Sequence, residues 1–237
     1  MAQFGISQPL LRLEDPALLT GRGRFLDDLY FPRMAHAYVL RSPHAHAEIR
    51  GADTAAAKAM PGVLAIYTAA DVRALGDIPT LAFPQMIAGT EYRHHGQPVL
   101  ARERVRYAGE PVAFVVAETR EQARDAAEAI AVDYAPLPAV TDPKGAAAAG
   151  AVQLWEDAPD NRSFEFDLGD PEATEAGFAK AARVVKLDVV NNRVILNAAE
   201  TRGALGRYED GRFIVHATTQ MPHRHKEQLA KHVFQVP

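Results

Sequence analysis

Cysteine is missing from all 237 residues. That excludes disulfides, thiolate zinc sites, cysteine-held iron–sulfur clusters and a cysteine nucleophile within the chain. Long apolar runs are missing as well. No stretch approaches the roughly 18 residues that a membrane-spanning helix requires. The opening MAQFGISQPLLRLEDP has no basic stretch leading into an apolar one, so no signal peptide is read and a cytoplasmic protein is expected. Charge of one sign is not in excess: 26 basic and 30 acidic residues are interspersed, for a net charge of −4. Without a basic stripe interleaved with aromatics, nucleic-acid binding has little electrostatic support.

What is present is ordinary for a packed globular protein: 48% hydrophobic and 24% charged residues, in a length that suits one large domain or two modest ones. The first thirty residues, with Pro16, Gly21, Gly23 and Pro32, predict an extended segment laid over another surface. Strands are predicted at 35–41 (AHAYVLR), 45–50 and 63–68 (VLAIYT), and short helices at 53–60 and 69–75. Residues 76–98 read as a long loop. Pro111 to Ala117 (PVAFVVA) is a continuous apolar run of strand length, as expected of a central strand. Thr119-Arg120-Glu121-Gln122 has the spacing of a capping box. Ala123, Ala126, Ala127 and Ile130 then recur at helical spacing, which predicts a small-residue face lying close on a sheet. IAVDY at 130–134 returns as a strand. After a linker-like stretch, a helix is predicted at 173–182 and strands at 184–190, 203–208 and 213–217. A final helix is predicted from Met221.

Several chemical signals are incomplete. Read as alternate residues of an extended strand, His44 and His46 share one face, yet no third histidine lies near them in sequence. His94 and His95 are adjacent, and neighbours seldom ligate one ion. His223, His225 and His232 lack the spacing of a helical zinc pair with its glutamate. Ser42 has no nucleophile-elbow glycines around it. Gly21-Arg22-Gly23 lacks the strand before and the helix after that a phosphate loop requires. The pairs Glu14-Asp15 and Asp27-Asp28 diverge on an extended chain, and their default roles are solvated or backbone-capping.

Four stretches, in order, resemble the molybdopterin-binding large subunit of the xanthine dehydrogenase, aldehyde oxidase and carbon monoxide dehydrogenase family. They are LLTGRGRFLDDL (18–29), HAYVLRSPHAHAEI with MPGVLAIYTAADV (36–72), ERVRYAGEPVAFVVAETREQARDAAEAIAVDYAPLPAVTD (103–142) and ETRGALGRYEDGRFIVHATTQMPH (200–223). The resemblance implies an α/β (α+β) fold: an α/β hammerhead domain followed by the start of a molybdopterin-binding domain. It divides the chain into an extended arm (1–17), the hammerhead domain (18–142), a linker (143–171) and the start of the first molybdopterin-binding domain (172–237).

The same resemblance implies an oxidoreductase part. Such a subunit oxidises an aldehyde, an N-heterocycle or carbon monoxide with oxygen from water, and passes electrons to [2Fe–2S] clusters and FAD on an iron–sulfur small subunit and an FAD medium subunit. The cofactor is a molybdenum–molybdopterin, with the cytosine dinucleotide form expected. Gln220 matches a glutamine beside the molybdenum centre, where a neutral amide donates to an oxo group without adding net charge. Glu200, Arg202 and Gly203 match a structural glutamate-x-arginine-glycine stretch, with Thr201 where proline is common. No catalytic or metal-ligating residue is expected in this chain. The family's GGGFG segment, the loop over the molybdenum and the general-base glutamate are expected on a C-terminal remainder beyond Pro237. The alternative expectation is a non-catalytic remnant or assembly module that binds the partner subunits. Small molecules, rather than nucleic acids or membranes, are the expected ligands.

Overall fold

The computed structural model describes residues 10–80 and 92–237; the first part of the predicted arm and most of the predicted 76–98 loop lie outside the described residues. Among the described residues, the α-helices in chain order are α1 (Asp15–Leu19), α2 (Ala55–Lys58), α3 (Arg120–Glu128), α4 (Pro143–Ala146), α5 (Pro171–Lys180) and α6 (Pro222–Glu227), the last continued by a π-helical turn at Gln228–Phe234. The strands are β1 (His36–Arg41), β2 (Ala47–Asp53), β3 (Val63–Thr68), β4 (Arg104–Val105), β5 (Pro111–Ala117), β6 (Ala131–Pro136), β7 (Ala204–Glu209) and β8 (Arg212–Ala217). They form two units. One joins the described residues up to Met34 with Val190–Gln220, and the other joins Ala35–Val189 with Met221–Pro237.

The second unit holds two antiparallel three-stranded sheets, ordered β1-β5-β3 and β4-β2-β6. The apolar run PVAFVVA is the central strand of the first sheet, because both of its edges are hydrogen-bonded. Helix α3 covers that sheet. Thr119 Oγ1 accepts the Gln122 amide at 3.2 Å, and Gln122 Oε1 accepts the Thr119 amide at 3.1 Å, so the predicted capping box is formed. Ala123, Ala126, Ala127 and Ile130 are buried against Ala113, Val115 and Ala117 of β5. Alanines on both surfaces bring helix and sheet close, and larger side chains there would collide. A smaller cluster packs Ala47 of β2 and Val105 of β4, from the second sheet, with Ala101 and with Val112 of β5.

Local differences from the sequence expectations have identifiable causes. Residues 69–75 are turns rather than a helix: Asp71 Oδ2 accepts both the amide and the hydroxyl of Thr68, at 2.7 and 2.8 Å, and draws the backbone away from helical bonding. The predicted strand at 184–190 is not formed, and residues 184–190 are exposed throughout. His44 and His46 lie in the irregular stretch before β2, not on a strand, so they share no strand face. In the opening segment, Asp15–Leu19 forms a helix because Pro16 sits in its first turn, where its missing N–H costs nothing. Gly21 follows with φ +68, while the Arg22 amide reaches Ala17 O at 2.8 Å and the Gly21 amide reaches Leu18 O at 3.3 Å. That is a Schellman stop, which explains Gly21 without a phosphate.

Candidate functional site

Three of the residues singled out by sequence occupy one neighbourhood in the first unit. Glu200 is half-buried, and its Oε1 accepts the Leu26 amide at 2.9 Å across 174 residues of sequence. Gly203 faces the same leucine: a Cβ at position 203 would lie 2.5 Å from Leu26 Cδ2. A Glu-x-Arg-Gly stretch thus seats the LLTGRGRFLDDL stretch through one carboxylate and one missing side chain. Both are motifs of the same resemblance, but their physical contact is legible only in three dimensions. Arg202 is exposed and forms no ion pair with Glu200 among the described residues, so the carboxylate is held by a backbone amide instead.

The β7–β8 hairpin carries this neighbourhood further. Its register sets Leu205 opposite His216 and Arg207 opposite Ile214 on one face. The Arg207 guanidinium lies 4.2 Å from the Phe31 ring centroid, and the His216 ring lies 5.8 Å from it. Arg207 is also held by Glu209. His216 Nε2 is buried with no partner among the described residues. Neither Phe31 nor His216 was marked by sequence; the tie between residues 18–29 and 200–217 was the available signal.

Beyond β8, Thr218 donates its amide to Gly203 O at 3.4 Å, and Gln220 lies two residues further on. The Gln220 side chain is exposed and makes no hydrogen bond with the described residues. It does not cap α6, whose N-cap is Met221 without a side-chain bond. Its amide, two donors and one acceptor, is therefore uncommitted.

In the second unit His44, His46 and His95 make structural contacts. Ser42 Oγ accepts the His44 amide at 3.0 Å and donates to His44 O at 3.1 Å, which makes a local turn. His46 Nδ1 lies 2.7 Å from Pro138 O. His95 stacks on Trp155 with centroids 4.1 Å apart, its Nε2 is 2.7 Å from Asp157, and the Arg106 guanidinium sits 3.6 Å from the same indole. These contacts fasten residues 92–97 to the 153–164 stretch. No group of three or more His, Cys, Asp or Glu residues suited to a metal occurs among the described residues. No helix among them is long and apolar enough to cross a membrane. Among the described residues one carboxyl is buried: Glu110, whose Oε2 accepts the Arg106 amide at 2.6 Å. Desolvation holds its pKa above the ordinary carboxylate value, against the lowering by that amide and by the Arg106 charge.

Residues 20–138 match the profile described as the aldehyde oxidase and xanthine dehydrogenase a/b hammerhead domain, and residues 154–237 match a molybdopterin cofactor-binding domain. The chain is 38% identical over 227 residues to the nicotine 6-hydroxylase large subunit of Paenarthrobacter nicotinovorans, covering 92% of this chain and 26% of that protein. It is 38% identical over 226 residues to the carbon monoxide dehydrogenase large chain of Afipia carboxidovorans, covering 90% and 27%. The structure is similar to quinoline 2-oxidoreductase from Pseudomonas putida 86, with TM-score 0.74 and 39% identity over 90% of this chain and 27% of that one. The chain thus spans about a quarter of the length of these relatives.

Proposed function

From the premise that this chain belongs to the aldehyde oxidase and xanthine dehydrogenase family of molybdenum hydroxylases, we propose that it is the N-terminal part of a molybdenum-cofactor-binding large subunit. The observation that carries this reading is the free Gln220 amide at the exit of the β7–β8 hairpin, inside the stretch that matches a molybdopterin cofactor-binding domain. A neutral, exposed donor with no internal partner fits a molybdenum cofactor, whose anionic ligands accept hydrogen bonds. When bound, that cofactor supplies the oxidation of a small molecule (an aldehyde, an N-heterocycle or carbon monoxide) with oxygen derived from water.

In this reading Gln220 directs its N–H toward the cofactor. Glu200 and Gly203 anchor the segment around Leu26, and Arg202 stays at the surface of the same stretch. The division into an arm (1–17), a hammerhead domain (18–142), a linker (143–171) and the start of a cofactor-binding domain (172–237) belongs to the same proposal. So do the C-terminal remainder of the large subunit, an iron–sulfur small subunit and an FAD medium subunit as partners. The cytosine dinucleotide form of the pterin and a cytoplasmic location complete it.

Native purification of the tagged chain from its own host tests the reading, with metal analysis and mass spectrometry of the assembly. The expected result is molybdenum together with iron–sulfur, flavin and C-terminal partner polypeptide. A lone, metal-free chain would overturn it and leave a remnant or an assembly module. Gln220→Ala, placed where the side chain makes no internal contact, is expected to lower molybdenum occupancy without changing the thermal midpoint of the chain.

A further inference from the structure

The β7–β8 hairpin has two unlike faces. Register places Leu205, Arg207, Ile214 and His216 on the face toward Phe31, and each of these four is half-buried. Alternation along the strands puts Gly206, Tyr208, Phe213 and Val215 on the opposite face. There Tyr208 is 65% exposed, Phe213 52% and Val215 43%. In the same unit, residues 190–196 (VNNRVIL) run without strand structure and without a backbone hydrogen bond to the described residues. Ile195 is 91% exposed and Leu196 89%. A two-stranded ribbon is marginal by itself, and bare apolar surface beside unpaired extended backbone is the ordinary template for added strands.

We propose that the outer face of this hairpin, together with residues 190–196, is the seat of the C-terminal remainder of the large subunit, which covers the face and pairs with the extended stretch. The proposal rests on the reading given above and names its contact surface. The occupant follows from two facts. The cofactor-binding match extends over residues 154–237, and the relatives carry about three quarters of their length outside the aligned part. A large polypeptide is therefore at hand to cover apolar surface that this chain leaves exposed.

The absence of cysteine gives a clean test. Single variants Ile195→Cys, Tyr208→Cys and Val215→Cys are made, with Ile214→Cys on the inner face as the protected control. Maleimide labelling is measured on the 237-residue chain alone and on the natively purified assembly, against the cysteine-free parent of each. The three outer thiols are expected to label freely in the chain alone and at least about tenfold more slowly in the assembly, as burial slows access. Equal labelling in both, protection in the chain alone that grows with its concentration, or recovery of only an unaccompanied chain would overturn the proposal. Molybdenum content separates this from the functional reading. A metal-free assembly that protects the thiols keeps the surface and removes the enzyme, whereas a molybdenum-loaded assembly that labels freely does the reverse.

Discussion

At the scale of single residues, two carboxylates show how burial sets a role. Glu110 is buried, and desolvation raises its pKa. A carboxyl raised in the folded state contributes stability that is complete below its ordinary pKa and lost as pH rises through the raised value. Glu110→Gln keeps an acceptor for the Arg106 amide and removes the charge. Its stability relative to the parent is therefore expected to improve between about pH 4 and pH 7, compared by urea midpoints at both values. The exposed Asp71, Asp157 and Glu227, whose pKa values are lowered by hydrogen bonds, slope the other way in both proteins and cancel in the comparison. A gap that stays constant or shrinks with pH would refute the assignment. Glu200 is the second case. Removing its acceptor in Glu200→Ala leaves the Leu26 amide without its partner, at a cost of about 1 kcal/mol. Glu200→Gln is expected to behave like the parent, and faster amide exchange at Leu26 in the alanine variant alone is the diagnostic. Equal exchange in the two variants would show that the carbonyl-like oxygen is not what matters.

At the scale of elements, α3 is the best-determined piece. Its start is fixed by the Thr119–Gln122 box and its buried face by Ala123, Ala126 and Ala127. Thr119→Ala is expected to destabilise by about 1 kcal/mol. Ala126→Leu forces extra volume between α3 and β5 and is expected to cost about 1–3 kcal/mol. Thermal melts of both variants decide the matter: a silent Ala126→Leu would mean that the helix does not lie close on the sheet. Helix α5 is the contrast. Asp170 caps it by accepting the Ala173 amide at 2.9 Å and Pro171 opens it, yet it has no buried residue. Local signals alone account for it, so a predicted helix there says nothing about packing.

At the scale of the whole chain, the two units differ in how far their own residues satisfy them. The β1-β5-β3 sheet carries α3 and a shared core, whereas in the other unit residues 190–199 form no strand and expose their apolar side chains. Hydrogen exchange on the isolated chain is expected to show the β5 amides protected by orders of magnitude and the 190–199 amides exchanging almost freely. Protection in 190–199 without any partner would mean that the stretch finds a strand neighbour within this chain.

The sequence by itself determined what depends on near neighbours. A capping box needs residues three apart, a helix face needs spacing by three and four, and a central strand shows as an unbroken apolar run. The Schellman stop at Gly21 was equally local and open to reading, but the prolines and glycines around it pointed to extended chain. Four ordered motifs carried the family. Tertiary structure alone decided what joins distant segments: Glu200 on the Leu26 amide, Gly203 under its side chain, and Phe31 between Arg207 and His216. The predicted 184–190 strand fails for the same reason. Alternation prepares a strand, but a strand exists only when another backbone accepts its hydrogen bonds, and the described part of this chain supplies none.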